Sequence, residues 1–114
     1  MERIIIQMPE YWHHIEAFSQ RPLKGIEMEI PKYAPAYGVI PVGSDRDYML
    51  AVQIAESPQE VMITADKEGL IVLARHLLTL AQDDVPSGSH IHYDDSPSSG
   101  SLAKASCSMV VSKM

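Results

Sequence analysis

The sequence predicts an α+β fold: a mainly antiparallel sheet, one principal helix (about 66–82) packed on one face, and a short N-terminal helix. Three observations carry this. Ile26, Met28 and Ile30 alternate strictly with Glu27 and Glu29, the period-two signature of a half-buried strand. Two strand-like runs flank the turn Ser57-Pro58, which predicts a hairpin. Between Asp66 and Gln82, apolar residues recur at helical spacing.

The elements follow in order. Arg3 to Met8, rich in isoleucine, reads as a strand. Pro9 then opens a short helix in which Tyr11, Ile15 and Phe18 share a face, and Arg21-Pro22 ends it. The strand Lys24–Ile30 closes at Pro31. A Pro/Gly/Tyr loop over 32–46 holds Pro35, Gly38, Pro41 and Gly43, which leave no room for long regular structure. Tyr33 and Tyr37 either dock this loop on the body or offer contact residues.

Asp47–Ile54 and Glu60–Thr64 form the predicted hairpin. In the helix, Asp66 caps the start and Glu68 suits the dipole of the first turn. Leu70, Leu73, Ala74, Leu77, Leu78 and Ala81 form the expected buried stripe, leaving Arg75, His76, Thr79 and Gln82 on the opposite arc. Gly69, costly in a helix, suggests close approach to the sheet. Val85-Pro86 stops the helix. His90–Asp94 is a short strand expected to pair with the last, Cys107–Lys113, across a flexible Ser-rich connection over 95–101.

With 114 residues, the chain is expected to be one domain, 1–114. Fifteen acids against nine bases give a formal charge of −6, which argues against nucleic acid or an anionic membrane as partner. It suits electrostatic attraction to a basic protein such as a nuclease. The single cysteine, Cys107, excludes an internal disulfide framework and reads as a small buried hydrophobe. No signal-peptide pattern and no apolar run near the ~20 residues of a bilayer span is visible. A cytoplasmic location is the expectation.

The most unusual cluster is His90-Ile91-His92-Tyr93-Asp94-Asp95. On a strand, His90, His92 and Asp94 project together, and Ile91 and Tyr93 turn the other way, toward the helix. Three readings compete for this row. It is a metal site, with His90 and His92 as ligands and Asp94, His13, His14, His76 or an acid completing the set. It is a recognition surface for a protein. Or its imidazoles are structural and hydrogen-bond to loop backbone. The metalloenzyme β-barrels called cupins also carry His-x-His, but the glutamate that should follow is missing here. Nucleophile elbow, phosphate loop, dinucleotide fingerprint and His-Glu-x-x-His are all missing too.

From Glu60 onward the order and spacing are specific. A strand leads to Asp66-Lys67-Glu68-Gly69-Leu70, then to Leu73-Ala74, Leu77-Leu78 and Leu80-Ala81. Val85-Pro86, Gly88, His90-Ile91-His92 and a final Ser-and-apolar strand follow. This half of the chain resembles a family of bacterial immunity proteins from polymorphic toxin systems. The resemblance implies a small cytoplasmic α+β protein that binds and neutralises a cognate toxin, without turnover chemistry and without a cofactor.

The expected function is therefore toxin neutralisation by protein–protein binding. The expected surface holds His90, His92, Asp94 and Asp95, with Tyr33 and Tyr37 from the loop. The alternatives are a small His-x-His metal protein, possibly a hydrolase, and a structural homodimer joined through an exposed strand edge such as the last.

Overall fold

The computed structural model describes residues 2–9, 23–96 and 101–114. The predicted short N-terminal helix lies outside them, as do His13 and His14. Among the described residues, six strands and one helix follow in the order β1 (Glu2–Pro9), β2 (Leu23–Ile30), β3 (Leu50–Glu56), β4 (Gln59–Ala65), α1 (Lys67–Leu80), β5 (His90–Tyr93) and β6 (Met109–Ser112). The fold is α+β, with antiparallel strands and one main helix, as predicted. The strands do not merge into one sheet. They form three two-stranded ribbons, β1–β2, β3–β4 and β5–β6. No helix among the described residues is long and apolar enough to cross a membrane.

The ribbons are held together by side chains and loops rather than by ladder bonds. Leu50 and Val52 of β3, Leu80 of α1, Val85, Ile91 and Tyr93 of β5, and Leu102 form the buried core. The segment before β6 runs along the outer edge of β3. There Ala103 N donates to Leu50 O, Cys107 N to Val52 O, and Val52 N to Ser106 Oγ. Cys107 lies just before β6 and is only partly buried.

Asp66 fixes the start of α1. Its Oδ1 accepts from Gly69 N at 2.8 Å, closing the cap, and its Oδ2 accepts from Met49 N at 3.2 Å. One carboxylate thus ties the helix to the approach of β3. Gly69 faces the same place: a Cβ built there would collide with the Met49 carbonyl oxygen. Close approach is the reason for glycine here, since any side chain would push helix and hairpin apart.

The buried face of α1 is rotated from the predicted stripe. Gly69, Val72, His76, Thr79 and Leu80 are buried, while Leu70 and Leu77 are exposed. The cause is the 32–46 loop. It runs as a strap along the polar arc, from the C-terminal to the N-terminal end of the helix. Tyr33 N donates to Gln82 Oε1, Val42 O accepts from His76 Nε2, Gly43 O accepts from Arg75, and Ser44 Oγ donates to Glu68. A loop without a ladder of its own needs such partners, and the polar arc supplies them. Arg75 also donates from Nε to Glu29 O at 2.8 Å, which adds the end of β2 to the same junction.

Candidate functional site

The β5–β6 ribbon separates its two faces cleanly. Ile91 and Tyr93 point into the core, and His90 and His92 point outward. The register sets His90 opposite Ser112 and His92 opposite Val110, both exposed. The outer face therefore carries two imidazoles, one valine and one serine. The two rings meet edge to face, with centroids 4.8 Å apart. His90 Nδ1 also reaches Gly88 O at 3.0 Å; a carbonyl only accepts, so that nitrogen carries the proton. His90 is thus held by the turn before the strand and by its neighbour.

The inner face anchors this pair. Tyr93 is fully buried and its hydroxyl lies 2.8 Å from His76 Nδ1. His76 is 3% exposed, and its Nε2 lies 2.8 Å from Val42 O. Because Val42 O can only accept, Nε2 donates to it, leaving Nδ1 to accept from Tyr93. Burial lowers the His76 pKa below its usual 6.5, outweighing the bond to Val42. Burial likewise pushes the Tyr93 hydroxyl up to about 12, with the nearby Tyr48 adding to it. Helix, strap and β5 therefore meet at one neutral, hydrogen-bonded pair.

Helical spacing places His76 on the arc opposite the apolar stripe and makes it one candidate for a distant metal ligand. The structure corrects both: it is buried, and both ring nitrogens are occupied. The sequence signal was present but faint. Four hydrogen-bonding residues on one helix arc matched a long loop in need of partners.

The carboxylates of the cluster go elsewhere. β5 ends at Tyr93, so strand alternation does not extend to Asp94, which is half-buried. Its Oδ1 accepts from Ser96 N at 3.0 Å and its carbonyl accepts from Leu102 N. Asp95 Oδ2 accepts from Ala105 N at 2.9 Å. Both acids shape the connection between β5 and β6. Asp66, used as a cap, sits at the opposite end of α1 from Asp83 and Asp84, about 20 Å away along the helix axis. The acids of this region do not gather into one patch.

The tyrosines also part company. Tyr33 is half-buried against the core, whereas Tyr37 is 76% exposed at the tip of the tight turn Ala34–Gly38. No hydrogen bond, ion pair or ring contact joins either to the histidine pair.

Among the described residues no three His, Cys, Asp or Glu side chains come together to hold a metal ion. His90 and His92 thus lack a third described ligand. His92 borders a cavity of about 230 Å³ shared with Tyr48, His76 and Tyr93. Small-molecule sites usually span roughly 300–1,000 Å³.

A family model described as Immunity protein 32 matches residues 60–114, from β4 to the C-terminus. The resemblance to an immunity-protein family holds over that stretch, which contains both histidines and the whole of α1. No curated protein and no solved structure matches the chain.

Proposed function

We propose that this chain is a toxin-neutralising immunity protein that binds its cognate toxin domain and performs no turnover chemistry. One observation carries the choice of surface. His90 and His92 stand side by side in solvent on a short ribbon whose other face is locked into the core, within the stretch that the family model matches. Residues held this firmly lose little freedom on binding, so their contacts translate more fully into affinity. Val110 adds apolar area beside them. Tyr37, exposed at the strap's turn, is available to the same partner only if that partner is large enough to reach both.

The formal charge of −6 favours a basic toxin domain, such as a nuclease, through complementary long-range attraction. The cytoplasm, where an incoming toxin would act, is the proposed location.

The test is co-expression with the cognate toxin domain. The native chain restores growth. His90→Ala/His92→Ala loses protection while its thermal unfolding midpoint stays within a degree or two, because both side chains are exposed. Full protection by the double variant sinks the surface assignment, and failure of the native chain to protect sinks the function.

A further inference from the structure

The β3–β4 hairpin extends its apolar face beyond the core. On that face Leu50 and Val52 are buried, but Ile54, Val61 and Ile63 are 55%, 66% and 43% exposed. The register places Ile54 opposite Val61 and Val52 opposite Ile63, so the three side chains lie together.

The same hairpin has an open edge. Leu50 O and Val52 O accept from Ala103 N and Cys107 N, so the even-numbered residues of β3 direct their backbone groups away from β4. By the alternation of an antiparallel ladder, Ala51, Gln53 and Ala55 bond to Thr64, Met62 and Glu60. The N–H and C=O groups of Val61 and Ile63 therefore point outward from β4. No hydrogen bond among the described residues reaches them.

We infer that β4 pairs with β4 of a second copy of this chain, antiparallel about a two-fold axis at Met62. The residues themselves select this register. Val61 then lies opposite Ile63 of the second copy, and the outward backbone groups of both bond across the axis. Ile54, Val61 and Ile63 of the two copies form one continuous apolar face on a four-stranded sheet. On the other face Met62 meets its own counterpart, and Glu60 lies opposite Thr64. A register centred on Ile63 sets Glu60 against Asp66, one centred on Glu60 brings the two Glu60 side chains together, and one centred on Val61 sets Ile63 against Gln59. Like charges directly opposed are destabilising in a strand pair. An isologous contact of this kind needs one self-complementary strand, which β4 is.

The experiment measures mass and cross-linking of the full chain. Light scattering after gel filtration, across rising micromolar concentration, is expected to show the 12.6 kDa chain moving to twice that mass. Ile63→Lys is expected to hold it at monomer mass, with circular dichroism confirming the native fold. In a Cys107→Ser background, Met62→Cys is expected to form an intermolecular disulfide under mild oxidation. A directly opposed, non-hydrogen-bonded pair has Cα atoms about 4.5 Å apart, within disulfide range. Glu60→Cys in the same background is expected to cross-link far less, being offset from its own counterpart. A chain monomeric throughout, a dimer that survives Ile63→Lys, or equal cross-linking of the two cysteine variants overturns the inference. None of these results bears on toxin binding.

Discussion

The Tyr93 hydroxyl donates to Nδ1 of His76 across 2.8 Å, and this bond joins β5 to the helix and, through His76 Nε2, to the strap. It requires a neutral imidazole. A protonated ring would have two donors, and Tyr93, itself pushed up to about 12, would have to give up its role as donor. The unfolded chain binds a proton at His76 more readily than the folded one does. Stability from this pair is therefore intact above about pH 6.5 and declines as pH falls below that value toward the lowered native pKa. Urea unfolding at about pH 7.5 and about pH 5.5 should show the native chain weakening at the lower value. His76→Gln, which keeps a donor for Val42, should lose that part of the slope.

Tyr93→Phe removes the donor and leaves Nδ1 buried without a partner. The expected cost is about 1–3 kcal/mol in chemical denaturation, without loss of the β5–β6 pairing. An unchanged midpoint would mean that the hydroxyl contributes nothing to the junction.

Gly69→Ala gives a test by sign. In an open helix the change stabilises by about 1 kcal/mol. Here the added methyl collides with the Met49 carbonyl oxygen, so a loss of about 3 kcal/mol is expected, read from the thermal midpoint.

Asp66 serves two amides, and substitutions can divide its roles. Asp66→Ser keeps the cap at Gly69 but gives up Met49. It should cost less than Asp66→Ala, which loses both and is expected to cost about 1–2 kcal/mol. Equal losses would show that the cap on Gly69 is worth nothing.

Arg75 holds the end of β2 and the strap with two donors of one guanidinium. Lysine, with a single ammonium, cannot reproduce that fork. Arg75→Lys should speed hydrogen exchange in the strap over 42–46 while leaving amides in the middle of α1 protected. Unchanged exchange there would show that the strap does not depend on this clamp.

Much of this was written in local pattern. The alternation at 26–30, the turn at Ser57-Pro58 and the helix start at Asp66 follow from period and punctuation and stand where their patterns set them, whereas the helix ends at Leu80, short of Gln82 and of the stop at Val85-Pro86. The buried face of α1 differs from the periodic stripe because periodicity records where apolar residues recur, not what covers the polar ones. A strap of loop backbone is an effective partner for Arg75, His76 and Gln82, and it draws their side of the helix inward. The separation of the strands into three ribbons was equally hidden, since the bonds of the 102–107 segment to the edge of β3 leave no periodic trace. At the candidate site, alternation rightly turned Ile91 and Tyr93 inward and both histidines outward. It could not show that β5 stops at Tyr93, which commits Asp94 and Asp95 to backbone amides of the following connection.

In the proposed function the paired imidazoles on the outer face of β5 engage a toxin. Calorimetric titration of the cognate toxin domain with the native chain and with His90→Ala/His92→Ala tests it most directly. The expected result is one-to-one binding per chain that weakens by at least about tenfold in the variant, or about 1.4 kcal/mol. An unchanged Kd with a correctly folded variant would contradict it.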